Sequence, residues 1–118
     1  MAFSVGEEEL SGLDTKPLVG HLAAWNYFQS VETPENEAFI KAWHAYTKNS
    51  DRVTNDPMEA TYIGFKMWAN AVTKAGTTDV DAVEQAMIGQ TVPNLTGGIA
   101  VMNINHHLSK PVLIGEIQ

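Results

Sequence analysis

Residues 56–76, which read DPMEATYIGFKMWANAVTKAG, form the longest apolar-periodic run in the chain and predict its central helix. Pro57 suits the first helical turn, where a missing N–H loses no hydrogen bond, and Lys74 followed by Gly76 is typical of a helix C-terminus. The residues at helical spacing predict one wide apolar face that packs on a sheet. That predicted buried face comprises Tyr62, Phe65, Ala69 and Val72, with Trp68 beside them.

The start of this helix is the first candidate site. Asn55, Asp56 and Glu59 cluster where the first backbone N–H groups have no partner within the helix. A polar ligand at this edge would meet N–H donors and carboxylate acceptors together. Acidic residues at a helix start also act as caps and complement the helix dipole, so a purely structural interpretation fits the same residues.

Composition predicts one acidic, globular domain spanning residues 1–118. Only 7 Lys and Arg residues stand against 14 Asp and Glu, which argues against nucleic acid as a partner because its binding needs clustered basic residues. The chain has no cysteine, which excludes disulfides and thiol catalysis. It opens without the charged and apolar regions of an export signal, so the chain as given is expected in the cytoplasm.

The first half of the chain alternates predicted strands and helices. Residues 2–5 predict a short strand, and residues 18–25 predict a strand whose nearly unbroken apolarity is typical of a parallel sheet buried on both faces. Between them, residues 7–9 form an acidic triplet that begins a short helix and faces either solvent or a ligand. Thr33 and Pro34 predict the start of a second helix, ending near residue 47. Its predicted buried face comprises Phe39, Ile40, Trp43 and Tyr46.

Three aromatic residues lie at the end of the predicted strand or just after it, and they either line a pocket or belong to the core: Trp25, Tyr27 and Phe28.

The second half of the chain predicts a helix and two further strands. Residues 78–89 form the helix, with Val80, Val83 and Met87 on its packed face. Residues 99–102 and 111–117 are predicted strands joined by a polar turn, in the manner of a hairpin.

No constellation of side chains predicts catalysis or metal binding. His106 and His107 are adjacent, so they point in different directions, and no acidic residue lies at a familiar ligand spacing. The chain contains no Gly-x-Ser-x-Gly motif and no cysteine nucleophile. We therefore expect no catalytic residue, no metal and no cofactor, and a protein that is not an enzyme.

Eight segments occur in a characteristic order. They are FSVGEEEL (3–10), VGHLAAWNYF (19–28), TPEN (33–36), NDPMEA (55–60), KAGTT (74–78), VPNLTGG (92–98), NHHL (105–108) and GEI (115–117). Together they resemble the C-terminal part of the substrate-binding proteins of urea and short-chain-amide ABC transporters, which belong to the leucine-binding-like, type I periplasmic-binding family.

The resemblance implies an α/β chain with a partial type I periplasmic-binding fold. In that fold a mostly parallel sheet is flanked by helices, and a small ligand binds between two lobes. The implied parent protein is periplasmic, binds urea or a short amide without catalysis, and works with the membrane subunits of an ABC transporter. Self-association into a homo-oligomer is one way to complete such a partial fold. The alternative is a stand-alone scaffold or interaction protein that self-associates and no longer binds the solute.

The resemblance also implies which residues contact the ligand. Glu7 or Glu8 offers a carboxylate that faces the cleft, and the loop entering the central helix offers Asp56, Pro57 or Met58. A neutral amide needs an acceptor for its N–H groups and a donor for its oxygen, and a carboxylate beside a helix N-terminus supplies both. With the helix start included, the predicted ligand-binding residues are Glu7, Glu8, Asp56, Pro57, Met58 and Glu59.

Overall fold

A computed structural model describes residues 1–118. The helices are α1 (Glu7–Leu10), α2 (Pro34–Thr47), α3 (Asp56–Ala75) and α4 (Val80–Met87), with a 3-10 turn at Lys16–Leu18. The strands are β1 (Leu22–Trp25), β2 (Thr91–Pro93), β3 (Ile99–Met102), β4 (Leu108–Ser109) and β5 (Leu113–Glu116). None of the helices combines the length and the apolarity that a membrane crossing requires. The prediction of an α/β chain is confirmed.

The helix boundaries follow local capping chemistry. The side chains of Thr33 and Asn55 accept hydrogen bonds from backbone N–H groups in the first turns of α2 and α3, and a proline stands in the first turn of each helix. Gly76 ends α3 in the left-handed conformation with φ of 69°, which glycine adopts without steric penalty. The predicted limits of both helices are confirmed because the residues that set them are adjacent in sequence.

The strands form two separate antiparallel sheets, one of β1 and β5 and one ordered β2-β3-β4. The one parallel pairing is an isolated bridge between Ala2 and Ala23. Mostly parallel pairing was expected, whereas all the ladders within this chain are antiparallel. The burial pattern of β1 also falls short of the expected burial on both faces, since only Ala23 is fully buried.

The predicted hairpin between β3 and β5 is wrong. The chain turns after β3 and pairs Val101 with Ser109 of β4, whereas Leu113 of β5 pairs with Trp25 of β1. Pro111 lies between β4 and β5, and a proline cannot donate a hydrogen bond to a ladder. The last strand is therefore free to leave the three-stranded sheet and to join the other one.

The core consists of two clusters that follow one another along one face of α3. The larger cluster lies between α2, α3 and the three-stranded sheet, and the smaller one joins α3 to α4 through Ala71, Val83 and Ala86. The larger cluster comprises Tyr27, Phe39, Ile63, Met67, Val92, Leu95, Ala100 and Met102.

The predicted buried face of α3 is wrong for its aromatic residues, although Val72 is partly buried against the smaller core cluster. The residues that are fully buried are Glu59, Ile63, Met67 and Ala71. By contrast, Phe65 is 65% exposed, Trp68 is 44% exposed and Tyr62 is 37% exposed, and the three side chains form what we call the outer face of α3. The helix has two apolar faces, one spaced by four residues and one by three, both of which fit a helical repeat, and the face with the smaller side chains packs against the sheet and α4. Two further residues predicted to be buried, Tyr46 and Val80, are exposed as well.

The molecule is elongated, with extents of 52 × 32 × 23 Å. Its radius of gyration is 16.3 Å, against about 13.5 Å for a compact domain of this length. Its accessible surface of 7505 Å² exceeds by about 1,200 Å² the area of a typical folded monomer of this mass. Surfaces that a compact domain would cover are therefore open in this chain.

Candidate functional site

A small cavity lies where α1, the end of β1 and the start of α3 meet, and we call it the Asp56 cavity. Its volume is about 40 Å³, which corresponds to about three water molecules and so to a solute of a few heavy atoms. The cavity brings together three of the predicted ligand-binding residues, Glu7, Asp56 and Pro57. The complete lining is Gly6, Glu7, Glu9, Trp25, Tyr27, Phe28, Asn55, Asp56 and Pro57.

Asp56 has the one arrangement here that suits a neutral polar ligand. Its Oδ2 accepts a hydrogen bond from the Asn26 backbone N–H at 2.7 Å, whereas its Oδ1 accepts none within the chain. The Asp56 backbone N–H is one of the orphan donors of the first helical turn, because the first bond of α3 runs from the Glu59 N–H to the Asn55 carbonyl. A free acceptor and a free donor therefore lie on one residue of the lining.

Both carboxylate oxygens of Glu7 accept hydrogen bonds from backbone N–H groups of the chain. Its Oε1 accepts from the Ser30 N–H at 2.9 Å, and its Oε2 accepts from the Gln29 N–H. These bonds hold the loop that follows β1 against α1. Glu7 thus shapes the wall of the cavity and contributes negative charge to it, while its hydrogen-bonding capacity is used mostly within the chain.

The aromatic residues at the end of β1 fit both interpretations of the sequence, since they line a cavity and one of them also belongs to the core. Trp25, Tyr27 and Phe28 all line the cavity, and Tyr27 is also fully buried in the larger core cluster. The Tyr27 hydroxyl bonds to Asn36 Oδ1 and Thr54 Oγ1, each at 2.7 Å, and burial raises the pKa of Tyr27 to about 12. Tyr27 therefore stays neutral and offers its ring, not its hydroxyl, to the cavity.

Glu9 is a lining residue that the sequence reasoning did not select. Its side chain reaches back to the Gly6 N–H at 2.7 Å, which is the reciprocal half of a capping box. The three-residue spacing between Gly6 and Glu9 was the available signal. With Glu7 and Asp56, Glu9 brings three carboxylates to a lining that has no basic side chain. This charge disfavours an anionic ligand and suits a neutral or cationic one.

Two other predicted residues, Glu8 and Met58, lie outside the Asp56 cavity. Together with Pro57 they line an open groove of about 560 Å³ between the middle of α2 and the first turns of α3, which we call the α2–α3 groove. Glu8 Oε2 accepts a hydrogen bond from Asn55 Nδ2, and so ties α1 to the cap of α3. The groove is lined by Glu8, Phe39, Trp43, Asn55, Pro57, Met58, Thr61 and Tyr62.

Glu59, the last of the predicted residues, lines neither space. It is completely buried and forms an ion pair with Lys110, whose side chain is 7% exposed. Burial raises the pKa of Glu59, and the neighbouring Asp56 adds to this, whereas the Lys110 ammonium lowers it in part. Glu59 Oε1 has no hydrogen-bond partner. The position and the contacts of Glu59 are those of an internal link between α3 and the connection that leads to β5.

A larger, mostly apolar cavity of about 550 Å³ adjoins the Asp56 cavity and shares Gly6, Glu7 and Phe28 with it. Its far wall is the end of β5. Elsewhere, His106 Nδ1 lies 3.8 Å from Glu84, but no group of three or more His, Cys, Asp or Glu side chains is placed to hold a metal ion.

Comparison with known proteins gives a match over the whole chain. The periplasmic binding protein domain matches residues 1–118. Among solved structures, an amino acid ABC transporter substrate-binding protein from Pseudomonas fluorescens Pf-5 is 25% identical with a TM-score of 0.79, over 97% of this chain and 30% of that protein. A solute-binding protein of an ABC transporter from Rhodopseudomonas palustris BisB5, in complex with 3,4-dihydroxybenzoic acid, is 17% identical with a TM-score of 0.80, over 93% and 30% respectively.

A curated relative, named limonene hydroxylase, from Geobacillus stearothermophilus is 32% identical over 104 residues, which are 88% of this chain and 19% of that protein. The chain thus spans less than a third of the length of each of these relatives. The predicted partial type I periplasmic-binding fold is confirmed by the structural similarities. Because the domain matches from the first residue to the last, this chain belongs to the periplasmic binding protein domain family.

Proposed function

We propose that this chain is part of a non-catalytic solute-binding protein of an ABC transporter, and that its Asp56 cavity contacts urea or a similar short amide. In this proposal the complete protein works in the periplasm and delivers its solute to the membrane subunits of the transporter. The family and the descriptions of the solved relatives support the general role. The choice of an amide as the ligand is based on the lining of the Asp56 cavity.

The observation that carries the amide is the pairing of a free acceptor and a free donor on Asp56. The N–H groups of a urea-like molecule would donate to Asp56 Oδ1, and its carbonyl oxygen would accept from the backbone N–H at the start of α3. The rings of Trp25 and Phe28 belong to the lining and supply apolar surface for a planar solute. A volume of about 40 Å³ limits that solute to a few heavy atoms.

The charge of the lining favours a ligand different from those in the structures of the solved relatives. Benzoate and p-hydroxybenzoic acid are the ligands in the structures of two such proteins from Rhodopseudomonas palustris. Three carboxylates and no basic side chain line the Asp56 cavity, so a ligand carboxylate would be repelled there. The proposal therefore expects an uncharged amide and excludes an aromatic acid at this cavity.

Isothermal titration of the chain with urea, acetamide, formamide and benzoate tests the proposal. The variant Asp56→Asn keeps an acceptor for the Asn26 N–H and replaces only the free oxygen with an amide nitrogen. We expect saturable binding of urea, at least about tenfold weaker binding by Asp56→Asn, and no binding of benzoate. The control Asp81→Asn alters an exposed acid in the first turn of α4 and should bind urea unchanged. Binding of benzoate in preference to the amides would overturn the proposal.

A second candidate function, a self-associating scaffold, is favoured by the outer face of α3. Phe65 and Trp68 pack on each other with ring centroids 5.6 Å apart, yet both are largely exposed. The excess accessible surface of about 1,200 Å² is larger than the roughly 800 Å² that each partner buries in a standard interface. In this candidate a second copy covers the outer face and no solute is bound.

Sedimentation equilibrium distinguishes this candidate from a monomeric receptor fragment. A homo-oligomer held together by the outer face should dissociate in the variant Phe65→Ser/Trp68→Ser, because that change removes two exposed aromatic contacts. Tyr46→Ser, which removes an even more exposed aromatic side chain from α2, is the control and should leave the mass unchanged. A monomer of 12.9 kDa at all concentrations would exclude the scaffold candidate.

A further inference from the structure

The α2–α3 groove is a second concave space with a chemistry different from that of the Asp56 cavity. Its volume of about 560 Å³ is within the usual range of small-molecule sites, about 300 to 1,000 Å³. Phe39 and Trp43 of α2 line it together with Met58 and Tyr62 of α3, and the Phe39 and Tyr62 rings are in contact with each other. The proposed amide site does not need this groove, since the two spaces share only Asn55 and Pro57.

The groove carries a single charged side chain. Glu8 lines it, and no Lys, Arg or His residue does. Glu8 Oε2 accepts from Asn55 Nδ2, whereas Glu8 Oε1 accepts no hydrogen bond within the chain. The formal net charge of −7 adds to the negative potential around this carboxylate. A cation is therefore the charge type that complements the groove.

The aromatic walls of the groove favour an organic cation. The rings of Phe39 and Tyr62 are in contact, with centroids 4.8 Å apart. Lys66 Nζ lies 4.2 Å from the centroid of the Tyr62 ring, so an ammonium group of the chain itself already occupies one face of that ring. This contact is a cation–π interaction, in which the negative face of an aromatic ring attracts an ammonium group. Aromatic walls beside one carboxylate are an arrangement that proteins use to bind alkylammonium groups.

The Trp43 side chain favours a ligand that also carries an oxygen atom. Its Nε1 is buried and has no hydrogen-bond partner in the chain. The ring of Tyr46 stacks on the indole with centroids 6.1 Å apart, which restrains its orientation. A buried N–H donor without an acceptor is destabilising, so a ligand that supplies an acceptor would gain from this group.

We propose that the α2–α3 groove binds an organic ammonium ion that also carries a hydroxyl or carbonyl oxygen. The ammonium group lies against the aromatic walls near the Glu8 carboxylate, and the oxygen accepts a hydrogen bond from Trp43 Nε1. The proposal assigns to Glu8 a cation-binding role that is separate from the amide contact expected of the Asp56 cavity.

Choline is a suitable probe because it combines a quaternary ammonium group with a hydroxyl. Its uncharged isostere 3,3-dimethylbutan-1-ol keeps the shape and the hydroxyl, and tetramethylammonium keeps the charge without the oxygen. Titrations followed by tryptophan fluorescence should show saturable binding of choline, with affinities at least about tenfold lower for the other two compounds. Equal binding of choline and its uncharged isostere, or no saturable binding of choline, would overturn the proposal.

Two variants locate the binding at the groove. Glu8→Gln keeps an acceptor for Asn55 Nδ2 but removes the charge, and should lower the affinity for choline at least about tenfold. Trp43→Phe removes the indole N–H and should weaken choline more than tetramethylammonium, with both titrations followed by calorimetry because this variant lacks the tryptophan of the groove. Glu35→Gln, at an exposed acid in the first turn of α2, is the control and should bind choline as the parent chain does. An unchanged affinity in Glu8→Gln would contradict the proposal. If Trp43→Phe does not fold, the comparison of choline with tetramethylammonium in the parent chain tests the same contact.

Discussion

Lys110, in the connection between β4 and β5, forms an ion pair with Glu59 in the first turn of α3, and both side chains are nearly or completely removed from solvent. The pair links α3 to the β4–β5 connection, which runs from the three-stranded sheet to the two-stranded one. Removing one partner should leave an uncompensated buried charge, so we expect Lys110→Met to lower the free energy of unfolding by about 3 to 5 kcal/mol. Guanidinium denaturation measures this, with the exposed Lys41→Met as a control of nearly unchanged stability.

The double variant Glu59→Met/Lys110→Met completes that test. Because two apolar side chains of similar size need no desolvation of charge, the double variant should recover most of the stability that Lys110→Met loses. A double variant as unstable as the single one would show that the ion pair itself, and not the unpaired charge, decides the stability.

The pH dependence of stability should report on Glu59. Burial raises its folded-state pKa above the ordinary value of 4.5, so the folded chain holds this proton more tightly than the unfolded chain does. Its contribution is fully present below pH 4.5 and is lost as the pH rises from there through the folded-state pKa. The stability of the parent chain relative to Glu59→Gln should therefore fall with rising pH in that window. A difference that stays constant with pH would mean that Glu59 titrates normally.

The two faces of α3 should respond differently to truncation. Met67 is completely buried, so Met67→Ala should cost about 2 to 5 kcal/mol of unfolding free energy. Phe65 is 65% exposed, so Phe65→Ala should change the stability of the monomer by less than about 1 kcal/mol. Guanidinium denaturation at a concentration where the chain is monomeric separates this comparison from any effect on self-association.

Asn55 should stabilise α3 through its cap. Its side-chain oxygen accepts from the Met58 N–H at 3.0 Å, and its amide nitrogen donates to Glu8. We expect Asn55→Ala to lower the stability by about 0.5 to 2 kcal/mol. Asn70→Ala, at an exposed position in the middle of the same helix, is the control, and should be neutral or slightly stabilising because alanine favours the helix. Thermal melting of both variants measures the difference.

Gly115 should be important for the shape of the proposed amide site. A Cβ atom at this position would lie only 2.8 to 3.1 Å from three carbons of the Phe28 ring. In Gly115→Ala the ring must therefore move, and because Phe28 lines the Asp56 cavity, we expect weaker binding of urea in a calorimetric titration. Gly64→Ala meets no atom within 4 Å and lies inside α3, so it should raise the stability by about 0.5 to 1 kcal/mol without affecting binding.

The parts of the fold that could be predicted from the sequence are those decided by neighbouring residues. The limits of α2 and α3 are examples, because Thr33, Pro34, Asn55 and Gly76 act within one helical turn. The direction of strand pairing could not be predicted, since it depends on the partner of each strand. The inner face of α3 was missed because the four-residue spacing of Ile63, Met67 and Ala71 and the three-residue spacing of the larger aromatic residues both fit a helical repeat.

The candidate site was predictable to a similar extent. The start of α3 was found from its capping residues, and the structure adds that Asp56 keeps one carboxylate oxygen free whereas both oxygens of Glu7 are in use. The position of α1 decides which glutamate faces the Asp56 cavity and which one faces the α2–α3 groove. The sequence shows three consecutive glutamates, but only the fold separates Glu7 and Glu9, which face the Asp56 cavity, from Glu8, which faces the α2–α3 groove.

Asn26 makes two hydrogen bonds that have a mechanical consequence. Its backbone N–H donates to Asp56 at the start of α3, and its side-chain Nδ2 donates to the Pro111 carbonyl at 2.8 Å, in the connection before β5. The β1–β5 sheet is therefore tied to the start of α3 through one residue, which contacts both the proposed solute acceptor and the connection before β5. A rotation of the β1–β5 sheet relative to α3 has to bend the bond between Asn26 and Asp56, so a solute that changes the position of the Asp56 carboxylate also changes the resistance to that rotation.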